Sequence, residues 1–175
     1  MNSKKSKRNT VLFLTQAGVI AAMYVALTYL SASAGLAFNA VQFRLSEIMC
    51  VFALYTPAAI PGLTIGCIIS NLSSTLGWID IIAGSLATLL ASLCIYFTPK
   101  LKIKKFPVSV PLFSSLFNAV IVGLEIWYLD PSRTAQLFFI SALEVAAGEI
   151  VVCTIGALIL PPLIKRTKIF EKFHF

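Results

Sequence analysis

A short stretch, Gln42-Phe43-Arg44-Leu45-Ser46-Glu47, sets an amide, a cation and a carboxylate side by side between two long apolar runs. Four more polar groups, Asn118, Glu125, Glu144 and Glu149, sit deep in later apolar runs, and Trp78 and Asp80 share a brief polar break. Ionisable groups inside a membrane are expensive and mark functional sites by default. Carboxylates beside amides suit a ligand rich in N–H donors, or an amine. A tryptophan next to an acid can stack on a planar ring and bond its edge. Each has a plainer use as well: Arg44 can pair with Glu47, Glu47 can cap a helix dipole, and Trp78 can anchor at the interface.

Asn118 and Glu125 are seven residues apart, two helical turns, and so share a face. Glu144 and Glu149 are five apart and diverge by roughly 140° around a helix, so both cannot point straight into one cavity without a bend or a wide pocket. Gly148 between them allows close approach. At about 2.5–3.5 kcal/mol per charge at the bilayer centre, Glu125, Glu144 and Glu149 together cost about 8 kcal/mol, discounted for Glu125 near the outer end of its helix. No lysine or arginine lies on the same apolar runs to offset them. Three uses compete. The acids can be protonated and bonded to neighbouring helices. They can do general acid–base work in an intramembrane enzyme, but there is no metal motif, and the only histidine, His174, is at the tail. Or they line a binding pocket that a ligand completes, which is the reading the residue types favour.

These groups need a membrane to make sense. Of the 175 residues, 58% are hydrophobic and only 12% charged, about half the charge of a soluble domain, and the mean hydropathy is +0.90. The net charge of +7 does not signal nucleic acid. Twelve of the fourteen basic residues fall in three clusters: Lys4-Lys5-Lys7-Arg8, Lys100-Lys102-Lys104-Lys105 and Lys165-Arg166-Lys168-Lys172. That pattern fixes orientation in a bilayer. Cys50, Cys67, Cys94 and Cys153 are scattered through apolar runs with no CxxC pair, against a zinc site or a disulfide framework. No cofactor is implied.

The elements that must position the polar groups follow from the apolar runs. Residues 1–10 read as a basic, frayed cytoplasmic tail, 11–165 as a single transmembrane domain, and 166–175 as a cytoplasmic tail. Residues 11–30 supply about 20 apolar positions, a full span rather than a signal core. The run 45–76 is too long for one span and short for two. Charge parity makes it a hairpin: with the amino terminus and the Lys100–Lys105 cluster both cytoplasmic, an even number of spans must separate them. Its turn is at Thr56-Pro57, where the residue before proline leaves the helical region. Further spans follow at 79–98, 108–129 and 134–164. Asp130-Pro131-Ser132-Arg133 makes a turn between the last two, and Pro161-Pro162 ends or kinks the final helix. The expectation is an all-α integral membrane protein of six transmembrane helices, both termini cytoplasmic, in the cell membrane. Loops 31–44, 77–80 and 130–133 then face outward. Small residues recur every fourth position, at Ala17/Ala21 and Ala22/Ala26 in the first span and Gly62/Gly66 in the third. Such stripes let helices approach closely, either internally or against a partner subunit.

Several blocks carry a family resemblance. Gln42-Phe43-Arg44-Leu45-Ser46-Glu47, Thr56-Pro57-Ala58-Ala59-Ile60-Pro61-Gly62-Leu63, Ile65-Gly66-Cys67, Asn71 and Gly84-Ser85-Leu86-Ala87-Thr88-Leu89 together resemble the QueT family. These are substrate-binding S components of energy-coupling-factor (ECF) transporters, associated with queuosine precursors. The resemblance implies a six-helix S component bundle that is not itself an enzyme and docks on a transmembrane T subunit with two ATPase subunits. It implies contact with the T subunit through Ala22 and Ala26, and a 7-deazaguanine ligand, queuine or its aminomethyl precursor, held toward the outer side. Gln42, Arg44, Glu47, Asn71, Trp78, Asp80, Asn118, Glu125, Glu144 and Glu149 are the candidate ligand-binding residues. No phosphate-cradling loop with GK[ST] occurs, consistent with ATP hydrolysis in a partner. An S component for another vitamin-like heterocycle, or a structural membrane protein without a ligand, are the alternatives.

Overall fold

The computed structural model describes residues 2–35, 43–74 and 76–167, with side chains from Asn9 onward. Its elements are α1 (Asn2–Ser33), a 3₁₀ helix (Leu45–Leu54), α2 (Ala59–Asn71), α3 (Trp78–Phe97), α4 (Ser109–Leu129) and α5 (Ala135–Thr167). Among the described residues, four segments are long and apolar enough to cross a membrane: Asn9–Ser33, Trp78–Phe97, Ser109–Leu129 and Ala135–Thr167. The expected hairpin is present, turning between Leu54 and Ala59. Its arms are short. The ten residues of the 3₁₀ helix, at about 2.0 Å each, cover roughly 20 Å. The thirteen of α2, at about 1.5 Å each, cover a similar length. Both stop short of the ~30 Å hydrocarbon core.

Local chemistry explains the boundaries. Thr56 Oγ1 donates to Gln16 Oε1 at 2.9 Å and accepts from the Ala58 N–H at 3.3 Å, tying the hairpin turn to α1. Pro61 and Pro111 each sit third in their helices, where the missing N–H has no intrahelical acceptor to lose. Gly77, at φ +75°, turns the chain into α3, a conformation open to glycine at no steric cost. At the α4–α5 turn the Ser132 N–H donates to Asp130 Oδ1 at 2.8 Å. Hydrogen bonding to Ser132 holds the Asp130 carboxyl below its usual value. Thr134 Oγ1 then accepts from the Leu137 N–H at 3.2 Å, capping α5 as hydroxyls do.

The 3₁₀ helix runs through the middle of the bundle and packs against all five α-helices. Its Met49, Cys50 and Val51 join Tyr24, Leu63 and Ile95 in the core. The small-residue stripes divide between two surfaces. A Cβ on Gly62 would lie 2.8 Å from the Ala17 carbonyl oxygen, and one on Gly66 would lie 2.8 Å from Tyr24 Cβ. The Gly62/Gly66 stripe therefore seats α2 on the Ala17/Ala21 side of α1, close packing that replaces a hydrophobic drive in lipid. Ala22 and Ala26 lie on the other side of α1 and are exposed.

At the ends, α1 takes in residues 2–10, beginning at Asn2. Of the two effects expected at Pro161-Pro162, an end or a kink, the end does not occur, since α5 continues to Thr167.

Candidate functional site

The helix order gathers the polar groups at the end of the bundle opposite the Lys100–Lys105 loop. Arg44 stands at the entry to the 3₁₀ helix, Asn71 closes α2, and Asp80 lies in the first turn of α3. All three are buried. Arg44 Nη2 donates to Asn71 Oδ1. Asn71 Nδ2 donates to the Asp80 backbone carbonyl at 2.9 Å, with Asp80 Oδ1 at 3.5 Å. Gly84, one turn further along α3, makes the meeting possible: a Cβ there would fall 2.5 Å from Asn71 Nδ2 and 3.4 Å from Asp80 Oδ1.

Glu125 reaches the same region from α4. Both of its carboxylate oxygens are buried without a hydrogen-bond partner. It lies close enough to Asp80 and Arg44 to feel their charge. The Ser114 hydroxyl, further down α4, is also buried, within reach of the Cys50 and Cys153 thiols, and between it and Glu125 the Asn118 Nδ2 donates to the Ser114 carbonyl at 3.0 Å. A buried polar group left unmade costs about 1–3 kcal/mol, more when charged. Glu125 is thus the strongest unmet demand in the cluster.

Glu47 is met from within the protein. The Tyr24 hydroxyl donates to its Oε1, and the Cys50 thiol approaches its Oε2 at 3.1 Å. The neighbouring Ser46 Oγ accepts from Thr28 Oγ1 at 2.8 Å. Glu149 is buried beside this group, with the Cys153 thiol at 3.6 Å from its Oε2. Glu144, on the same helix, is only half-buried, as the divergence of positions five apart requires.

Trp78 is 70% exposed and stands outside the cluster. Gln42 lies outside the described residues. The structure therefore brings together Arg44, Glu47, Asn71, Asp80, Asn118, Glu125 and Glu149 in the bundle interior. Among the described residues, the buried cation Arg44 stands against the four buried acids Glu47, Asp80, Glu125 and Glu149. An interior with that balance favours a guest that donates hydrogen bonds or carries positive charge. Two clefts lie elsewhere: one of about 420 Å³ between Asn9, Thr10, Phe13 and Pro57, and one of about 330 Å³ edged by Leu124, Trp127 and Phe138.

The chain matches the QueT transporter family over residues 14–166. It belongs to that family. A protein of Lactococcus lactis subsp. cremoris (strain MG1363) named "Queuosine precursor transporter QueT" is 30% identical over 167 residues, 93% of this chain and 96% of the relative. No solved structure matches significantly. With four apolar helices of spanning length, this QueT-family chain is a multi-pass membrane protein.

Sequence reasoning overlooked the inner partners of this polar cluster in the QueT-family chain. Tyr24, Thr28 and Ser31 project from α1 at spacings of four and three residues, all buried. They meet Glu47, Ser46 and the Leu45 N–H at 2.9 Å. The signal was available: three hydroxyls on one face of an apolar span, matching the polar run at residues 42–47. Gly84 was noticed only as part of a family block, although a glycine facing buried polar groups marks a close approach.

Proposed function

We propose that this chain is the substrate-binding S component of an ECF-type importer, taking a 7-deazaguanine queuosine precursor, queuine or its aminomethyl form, from the outer side. The observation that carries the reading is Glu125, a buried carboxylate whose two oxygens have no partner, beside the Arg44–Asn71–Asp80 network. A guanine-type edge presents two adjacent N–H donors, and one carboxylate accepts both. Arg44 and the amides of Asn71 and Asn118 offer donors to the ring carbonyl. Asp80, within electrostatic reach of Glu125, is the second acid that an aminomethyl group requires. The name of the Lactococcus relative supports the ligand class.

In this reading the hairpin completes six spans, with the polar cluster outward and the basic clusters cytoplasmic. The exposed Ala22/Ala26 face of α1 docks on a T subunit, and two separate ATPase subunits supply the energy. Calorimetry with a 7-deazaguanine, and with guanine as comparator, tests the site in Glu125→Gln, Glu144→Gln and Glu149→Gln variants. Glutamine replaces an acceptor oxygen with a donor at nearly constant volume. Glu125→Gln should lose about 2–5 kcal/mol of binding, as a broken buried charged pair does. Glu144→Gln, half-exposed, should lose little. Parent-like affinity in all three variants places the ligand elsewhere.

A further inference from the structure

The loop between α3 and α4 is not a slack connector. The Ile103 N–H donates to the Phe106 carbonyl and the Phe106 N–H returns the bond to Ile103, each at 3.0 Å, closing a two-residue turn at Lys104-Lys105. The Leu101 N–H donates to Thr98 at 3.1 Å, and the Ser109 N–H to Leu101 at 3.4 Å. Lys104 takes φ +59°, a left-handed conformation that glycine or asparagine adopts more readily. A lysine held at that strained tip points to a use for its side chain.

The composition of the loop is one-sided. Lys100, Lys102, Lys104 and Lys105 are all exposed, and no acidic residue occurs between Asp80 and Glu125. Lysines alternate with Leu101 and Ile103 along the approach to the turn, so the two kinds are exposed side by side. Ile103 is 67% exposed, as is Leu101 in part, and Phe97 at the end of α3 is also bare. Cationic groups beside exposed apolar ones match a bilayer interface, where phosphates meet the first acyl carbons. A wholly aqueous polyanion would leave the apolar side unmatched.

We propose that this lysine hairpin is a binding element for anionic phospholipid headgroups, holding the basic end of the bundle to its leaflet. The lysines meet the phosphates, while Ile103 and Leu101 enter the shallow hydrocarbon. Each lysine near an anionic surface is worth about fivefold in partition, so removing all four should reduce headgroup preference by at least about tenfold after screening.

The test uses the full chain in nanodiscs of phosphatidylcholine with and without phosphatidylglycerol, and a photoactivatable phosphatidylglycerol as probe. Adducts are mapped by mass spectrometry of peptides. The parent should crosslink within residues 98–109, with the yield falling as salt is raised. A variant with Lys100→Gln, Lys102→Gln, Lys104→Gln and Lys105→Gln should lose those adducts while binding a 7-deazaguanine like the parent. Lys165→Gln with Arg166→Gln, at the end of α5, controls for general basicity and should leave the hairpin adducts intact. Ile103→Ser should weaken them without changing charge. Hairpin adducts that persist in the quadruple variant, or that form equally with photoactivatable phosphatidylcholine, overturn the proposal. So does a hairpin that crosslinks to a co-purified protein subunit in place of lipid.

Discussion

Gly84 has no side chain, and a Cβ there would stand 2.5 Å from the Asn71 amide nitrogen. Asn71 cannot retreat without leaving Arg44 or Asp80, because it bonds both. Gly84→Ala should therefore cost about 1–3 kcal/mol through overpacking and the loss of these bonds, measured by thermal unfolding in detergent, and weaken ligand binding with it. Gly18→Ala is the matched control: nothing lies within 4 Å of its Cβ position, so stability should hold or rise slightly, as alanine favours helix. Tyr24→Phe removes the hydroxyl that reaches Glu47 and should cost about 1.5–3 kcal/mol, the worth of a hydrogen bond to a charged group. An unchanged unfolding midpoint in Tyr24→Phe means that Glu47 finds another donor. Site legibility divides along the same line. The acids were visible because charge in lipid is costly. The hydroxyls that satisfy them were not, because tyrosine and threonine are cheap enough in apolar helices to pass as packing.

The 3₁₀ helix is the element that decides the interior, and hydropathy could locate it but not its winding. The run 45–76 reads as a hairpin with a short first arm from Thr56-Pro57 and charge parity. A tighter helix at about 2.0 Å per residue lets ten residues reach as far as the thirteen of α2. That geometry is set by packing against five helices, information absent from a local window. Pro161-Pro162 is a like case: the proline rule anticipates an end or a kink, and α5 runs on to Thr167 with Ile164 buried in the core. The alanine stripes of α1 also needed the structure, since spacing alone does not say which face is inward. Ala17 and Ala21 are buried while Ala22 and Ala26 are exposed. Ala22→Leu and Ala26→Leu should thus leave calorimetric ligand binding within about twofold, surface changes being worth under about 0.5 kcal/mol, and reduce co-purification with a T subunit. Ala21→Leu faces Gly66 and should instead destabilise the chain itself. Ligand binding lost in Ala22→Leu would show that this face serves the interior after all.

The molecule is polarised from end to end. At one end lie Arg44, Asn71, Asp80 and Glu125, buried among helix termini; at the other lie the lysine hairpin, the Lys165-Arg166 pair and the turn at Thr56-Pro57. Lysine and arginine flanking short loops stay cytoplasmic because translocating them is unfavourable, whereas acidic residues have little such effect. The basic end is therefore expected inside and the polar cluster toward the outer face, the side from which the proposed importer would meet its ligand. This expected orientation rests on charge, the two hairpin arms each being too short to be recognised as spans by length. Single cysteines read it directly, in a Cys94→Ala background, since Cys94 is half-buried while Cys50, Cys67 and Cys153 are buried. Ser132→Cys, exposed in the α4–α5 turn, should react with a membrane-impermeant maleimide added to intact cells. Ile103→Cys, at the hairpin, should stay silent until the cells are permeabilised. These two results fix the side of each loop, and the number of crossings in 45–71 is read from the amino terminus as well. Were the hairpin 45–71 to dip in and return on one side as a re-entrant pair, the parity of all later helices would be kept and both results would stand. Were it to cross only once, Ile103→Cys and the amino terminus would lie on opposite sides, and labelling of an added cysteine at Asn2 would disagree with labelling at Ile103.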